Sequence, residues 1–310
     1  MKILSVDTSI FNVPTSIIYP PFKNGKYMEE YFYDFIQKNI NKFDEIDYVY
    51  IPVFWTNLQI NDDYNKNKEY YNSLLLSYYT EYPSNTKFFT IVQHDDCVLL
   101  NLPKNTLIFG ACSGHISLPL IYQDTNNILE TLTSKYNIER NILCSFYGSS
   151  SHPIRNMLKY FHKDGEIEIY LNDWNINVEK SHQFDFIKLA LQSKFSLCPR
   201  GYGRSSFRFF ESILLGSIPV YIYDDENWLP YKELIDYSKF SIVLNSKNID
   251  SLPIILSQLS DVEITNMQKE LINHKKVFGL DFMCLYIINK LSKENINYNL
   301  YIGQQQLSFI

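Results

Sequence analysis

One stretch constrains this chain more than any other: Phe195 to Asp224 reads as strand, glycine loop, helix, strand. Phe195 to Cys198 is a short apolar run, the pattern of a buried strand. Pro199 closes it, because proline has no N–H for a ladder. Gly201 and Gly203 open the backbone angles that a tight loop needs. Ser205 or Ser206 can cap a helix over Phe207 to Leu215, and Gly216 stands where that helix must stop. Ile218 to Tyr223 is a second apolar strand, running into Asp224 and Asp225. Chains of this pattern form α/β layers with parallel strands, whose polar residues gather at the strands' carboxyl ends.

The same stretch has a chemical use. A helix N-terminus presents free N–H groups and the positive end of the helix dipole, so it attracts phosphate. Arg200, Arg204 and Arg208 stand around that terminus, and guanidinium groups make forked hydrogen bonds to phosphate oxygens. Glu211, one turn beyond Arg208, can accept two hydrogen bonds from a ribose diol. The plainer alternative is that Arg208 and Glu211, an i, i+3 pair, only decorate a helix surface. Loop, cap, arginines and acid falling together favour the binding reading.

The remaining chain fits a two-domain globular protein. It has 310 residues, 45% hydrophobic and 20% charged, enough for two cores. A net charge of -6 argues against a nucleic-acid partner, which would need a basic surface. The five cysteines, Cys97, Cys112, Cys144, Cys198 and Cys284, show no Cys-x-x-Cys spacing, so neither zinc nor disulfides are expected. No apolar run approaches the roughly 20 residues of a membrane helix. Met1 to Asp7 reads as a first strand rather than a leader. There is no Asn-x-Ser/Thr sequon, and a cytoplasmic protein is the expectation.

The elements alternate along the chain. Tyr27 to Ile40 has helical spacing, with Tyr27, Tyr31, Phe35 and Ile36 on one face. Asp47 to Phe54 reads as a strand, Asn65 to Thr80 as a helix, and Lys87 to Val92 and Thr106 to Phe109 as strands. Gln123 to Glu139 is polar and then helical, a linker. Asn141 to Gly148 is a strand, and Gly148, Ser149 and the next two serines before a helix make a fair anion-binding turn; a serine-capped helix is the plainer alternative. Glu166 to Leu171 is a strand and Ser181 to Gln192 a helix. Lys239 to Leu244 is a strand. Asp250 to Leu259 and Asp261 to Phe278 are helices, the second with Met267, Leu271 and Ile272 inward, and Asp281 to Leu291 is the last helix. The division expected is 1–136 and 137–310.

Cys198-Pro-Arg-Gly-Tyr-Gly203, Ser206-Phe-Arg-Phe-Phe-Glu211, Gly216-Ser-Ile-Pro-Val220, Leu229-Pro230 and Asp236-Tyr-Ser-Lys-Phe-Ser-Ile-Val243 together resemble the exostosin family of glycosyltransferases. The run Asp44 to Trp55 is also similar to that family's pattern. The resemblance implies a GT-B-like α/β fold, with two Rossmann-like domains facing a cleft. It implies a nucleotide-sugar donor, a UDP-sugar, held by the C-terminal domain, and a glycan or glycoprotein acceptor facing the N-terminal one. The last helix would pack back on the first domain. Transfer would invert the anomeric carbon with no metal and no cofactor. Where relatives carry Phe-Arg-Gly, this chain has Phe146-Tyr-Gly148, which leaves more of the phosphate to Arg155.

On this reading the donor is bound by Gly148, Ser149, Arg155, Arg200, Gly201, Tyr202, Gly203, Ser205, Ser206, Arg208 and Glu211. Gln93-His-Asp-Asp-Cys97 resembles a His-Asp element after a family strand. Asp95, or else His94, would take the acceptor proton. Trp55, just past a strand, and His115 would line the acceptor, although a core tryptophan and a turn histidine are the plainer roles. Two other readings stay open: a metal-dependent transferase holding a cation on Asp224-Asp225 or Asp95-Asp96, and a non-catalytic nucleotide- or sugar-binding module.

Overall fold

The computed structural model describes residues 1–43, 45–63, 66–135 and 138–292. Asp44, Asn65 and the expected division at 136 and 137 lie outside the described residues. The chain begins with β1 (Lys2–Ile3), α1 (Thr8–Phe11), α2 (Met28–Asn39), β2 (Val49–Tyr50), α3 (Trp55–Asn61) and α4 (Lys68–Tyr79). It continues with β3 (Phe88–Val92), β4 (Thr106–Gly110), β5 (Ile116–Ser117), α5 (Ile128–Lys135), β6 (Ile142–Ser149), α6 (Pro153–Leu158) and β7 (Ile167–Asn172). Then come α7 (Lys180–Gln192), β8 (Ser193–Pro199), α8 (Phe207–Leu214), β9 (Ile218–Tyr223), β10 (Ile242–Asn245), α9 (Leu252–Gln258), α10 (Asp261–His274) and α11 (Leu280–Leu291).

Two units result, each an α/β layer. Among the described residues the first comprises Met1–Ile17, Gly25–Gln123 and 279–292, so α11 belongs to it. Its sheet runs β1-β2-β3-β4-β5, every pair parallel. The expected long strand Asp47 to Phe54 shortens to Val49–Tyr50. Pro52 cannot donate to the ladder, and the Phe54 N–H turns to the Phe11 carbonyl at 3.1 Å. Helix α2 buries Met28, Glu29, Phe32 and Ile36. The expected stripe is thus corrected, for Tyr31 and Phe35 are only half-buried. The real stripe is spaced i, i+3, i+7 and includes a carboxylate.

The second unit comprises Ile18–Asn24 and Asp124–Phe278 among the described residues. Its five-stranded sheet runs β10-β9-β8-β6-β7, again all parallel. Phe146, Phe195, Leu197, Val220, Ile222 and Leu244 fill its core, each buried side chain contributing about 2 kcal/mol of transfer free energy. The chain passes from β6 outward to β7 and then back to β8 on the other side. That reversal is the switch point where open α/β sheets hold ligands.

Helix α8 is anchored at its far end. Gly216, at φ +71°, ends it in the left-handed region that other residues resist. The Arg140 guanidinium donates to the carbonyls of Ala190 (2.8 Å), Ser193 (2.7 Å) and Leu215 (2.7 Å), joining α7, β8 and α8. Burial pulls its pKa down to about 10. Farther on, Ile264, Met267, Leu271 and His274 form the buried face of α10. Ile272, expected inward, is 66% exposed. Tyr237–Lys239 is a single 3-10 turn, and β10 starts only at Ile242.

Candidate functional site

The carboxyl ends of β6 and β8 meet at the switch point, and Arg155 joins them. It is 8% exposed. Its Nε donates to the Arg200 carbonyl at 3.0 Å and its Nη1 to the Ser149 carbonyl at 3.1 Å. This corrects its expected place among the phosphate contacts: Arg155 supports the loop from beneath. Gly201 stays small for the same reason, since a Cβ there would lie 3.0 Å from Arg155 Nη2. Gly148 and Ser149 are corrected as well. Both remain in the ladder, opposite Leu171 and Asn172, instead of forming a turn. His152, not a serine, caps α6, its Nδ1 accepting from the Ile154 N–H at 3.3 Å.

Above that support lies the loop Arg200–Ser206. Gly201, Gly203 and Ser205 are buried, and Tyr202 is 65% exposed at the tip. Ser206 is the N-cap of α8 but makes no capping bond. It is 4% exposed, and its hydroxyl has no hydrogen-bond partner among the described residues. An unpaired buried hydroxyl costs about 1–3 kcal/mol, so this one stands ready for an incoming acceptor or donor beside the α8 amides.

Two arginines flank it in sequence. Arg208 Nε donates to the Tyr147 carbonyl (3.0 Å) and Nη1 to Glu211 (2.5 Å). The guanidinium lies over the Phe186 ring at 3.7 Å. Arg204 Nε reaches Asp225 at 2.8 Å, and Nη1 reaches Glu226 at 3.3 Å. In both, Nη2 is without a partner among the described residues. Glu211 is 2% exposed. The surface-decoration alternative is therefore overturned, because the buried carboxylate holds Arg208 in place through Oε2.

Arg200 takes a third role. Its Nη1 meets Asp224 at 2.7 Å and Asp225 at 2.9 Å, and Nη2 donates to the Tyr202 carbonyl at 2.8 Å. His152 Nε2 lies 3.5 Å from Asp224. Burial works to raise the Asp225 carboxyl, but the hydrogen bond from Arg204 and the charge of Arg200 hold it well below the usual range. Burial, then Arg200, lowers the His152 pKa. Asp224 and Asp225 are thus matched by arginines rather than left open for a cation, which weakens the metal-dependent reading.

The first unit holds the other candidates. The loop after β3 carries His94 and Asp95, as the pattern predicts. Asp95 is exposed and accepts from Cys112 Sγ at 3.1 Å. His94 Nδ1 accepts from the Asp96 N–H at 3.2 Å, which puts the ring proton on Nε2. Burial lowers its pKa despite Asp95 and Asp96, so the ring is neutral. Trp55 is corrected: it is fully buried and its indole donates to Thr90 at 2.7 Å, so it offers no face to a sugar. His115 is exposed, with its Nδ1 accepting from the Ile108 N–H at 2.9 Å.

One residue of note escaped the sequence reading. Glu29 is 1% exposed, and one of its oxygens accepts from Thr56 Oγ1 (2.7 Å), the Gln93 N–H (2.9 Å) and the Thr56 N–H (3.3 Å). Burial raises its pKa against those donors. It joins the start of α2, the start of α3 and the loop before His94. Its signal was present in the spacing: Glu29, Phe32 and Ile36 share one helix face.

Residues 109–259 match the Exostosin GT47 domain. An Exostosin-1 homolog of Caenorhabditis elegans is 27% identical over 179 residues, 50% of this chain and 46% of that protein. A probable glucuronosyltransferase of Oryza sativa is 28% identical over 137 residues, 43% of this chain and 32% of that one. This chain therefore spans less than half the length of these relatives. A solved glycosyltransferase from Rickettsia africae covers 91% of this chain and 84% of its own at 14% identity, with a TM-score of 0.34. That overlap is too loose to carry an argument, and the fold rests on the two parallel sheets described above.

Proposed function

On the premise that this chain, through residues 109–259, belongs to the exostosin family, we propose that it is a glycosyltransferase. It moves a sugar from a nucleotide-sugar, a UDP-sugar, to a hydroxyl of a glycan, with inversion and without a metal. The observation that carries the reading is the buried Ser206 hydroxyl at the N-cap of α8, which has no hydrogen-bond partner among the described residues, with Arg204 and Arg208 two residues to either side in sequence, each without a partner at Nη2 among the described residues. Diphosphate oxygens fit that place chemically, since they would satisfy the hydroxyl, the guanidinium donors and the helix amides together.

In the reaction the acceptor oxygen bonds to the anomeric carbon while the bond to the diphosphate breaks. The electron pair goes to the leaving oxygen. Arg204, Arg208 and the α8 dipole stabilise that developing charge. Asp95 takes the acceptor proton, with His94 as the alternative. Arg200 and Arg155 hold the loop in shape and Glu211 holds Arg208. A relative named as a glucuronosyltransferase makes a UDP-uronic acid the first donor to try.

Calorimetry with UDP and GDP tests the reading directly. Wild type should bind one of them, and Ser206→Ala should bind it at least several-fold more weakly with the fold intact. Turnover should persist in excess EDTA. Loss of turnover in EDTA would return the metal-dependent reading, and absence of turnover with every nucleotide-sugar would leave a binding module.

A further inference from the structure

A second surface of the same unit has no role in the site above. Strand β7 is the edge of its sheet, and Trp174, just past its carboxyl end, is 54% exposed. Tyr170 on β7 is 45% exposed. These are large aromatic faces left in water at a strand edge, where an isolated exposed ring is ordinary but a connected set is not.

Each of the two rings packs on a neighbouring ring, in two separate runs. Tyr170 lies opposite Tyr147 in register, their ring centroids 5.9 Å apart. Trp174 lies 6.4 Å from Tyr19, and Tyr19 lies 6.2 Å from Phe207. Phe207 is the first residue of α8, and the Tyr147 carbonyl holds Arg208. The aromatic surface therefore reaches the phosphate end of α8 from two directions.

The polar groups among these rings are two carboxylates and two imidazoles, His182 lying 6.0 Å from Tyr147 and His162 lying 6.1 Å from Tyr170. Tyr147 donates to Asp185 at 3.4 Å and Tyr170 to Glu168 at 2.9 Å. Asp185 pairs with no cation among the described residues. A surface with carboxylates at its tyrosine hydroxyls disfavours phosphate and uronate at those positions. It suits a neutral polyol, whose hydroxyls donate to carboxylates while its C–H face stacks on an aromatic ring.

We propose that this surface docks a neutral glycan, the acceptor chain, with Trp174 and Tyr170 as the stacking platforms and Asp185 as a hydroxyl acceptor. The proposal rests on the glycosyltransferase reading and adds the acceptor's class and its place on the second unit. A glycan lying here ends beside α8, where the donor's leaving group is held.

The test uses the full chain and a panel of neutral linear hexasaccharides (gluco-, xylo-, manno- and galacto-), with a hexauronate as the anionic probe. Binding is read by calorimetry, and UDP affinity is measured on every variant. At least one neutral hexasaccharide should bind wild type. Trp174→Ala and Tyr170→Ala should each weaken it at least tenfold, with UDP affinity and melting temperature unchanged, since both side chains are exposed. Unchanged glycan affinity in the double variant overturns the proposal. So does preferred binding of the hexauronate, or no neutral glycan bound by a protein that binds UDP. Failure of wild type to bind any nucleotide would instead remove the donor-site reading, while the glycan arm still decides this surface.

Discussion

Arg208 and Glu211 meet at 2.5 Å with the carboxylate 2% exposed, one turn into the helix that begins at the unpaired Ser206 hydroxyl. The pair is a positioning device. The carboxylate fixes one nitrogen of the guanidinium, the Tyr147 carbonyl fixes a second, and the third remains for a ligand.

Arg208→Lys should therefore fail although the charge is kept, because an ammonium cannot serve those directions together. We expect turnover to fall about 100-fold. Glu211→Gln should weaken nucleotide binding and lower stability by about 2 kcal/mol, by leaving a partly buried cation without its counter-charge. Normal turnover in Arg208→Lys would place that residue outside the chemistry.

The Arg200–Asp224–Asp225–Arg204 network has a pH signature. The Asp225 pKa is depressed on folding, so its contribution is fully present above the unfolded carboxylate pKa of about 3.9. It is lost only as pH falls through the lower folded value. Asp225→Asn should lower stability most between pH 6 and 8, where the contribution is full, with the deficit shrinking as pH falls below about 3.9, and should move the acid-unfolding midpoint to higher pH. An acid midpoint identical to wild type would show that the network does not stabilise the loop.

Glu29 has the opposite sign. Its pKa is raised on folding, so the folded state binds the proton more tightly. Stability should fall as pH rises from about 4.3 through the folded pKa. Glu29→Gln removes that loss and keeps an acceptor for Thr56 and Gln93. Its melting temperature at pH 8 should equal or exceed wild type, whereas Glu29→Ala should lose about 2 kcal/mol. A Gln variant that melts well below wild type at pH 8 would show that the ionised form is needed.

Asp95→Asn should abolish transfer while nucleotide affinity stays within about twofold of wild type, since the base does not hold the donor. Near-normal transfer would move the role to His94, which would first have to release its Nδ1 from the Asp96 N–H.

Gly216→Ala tests the helix stop. Alanine at φ +71° is strained, and its Cβ would lie 3.1 Å from Arg140 Nη2. A loss of at least about 1 kcal/mol is expected, read as a lower melting temperature.

The sequence by itself determined what depends on neighbouring residues. Ile218 to Tyr223 appears as a strand with the bounds read from its apolar run. Helix α8 starts at Phe207, although the Ser206 side chain makes no capping bond, and stops before Gly216, because a glycine acts on backbone angles within a turn. Parallel layering follows from alternation of such elements, and His94 and Asp95 fall on the loop after β3 for the same reason.

What only the tertiary structure decided is where polar side chains end. Arg155 reads as a phosphate ligand until β6 and β8 bring the carbonyls of Ser149 and Arg200 to it. Arg208 meets the Tyr147 carbonyl across 61 residues, and Glu29 meets the Gln93 N–H across 64. Trp55 loses its open face to Thr90, 35 residues away. Burial of a charge or ring is set by packing between segments distant in the chain, and a local pattern carries only the backbone's share of that outcome.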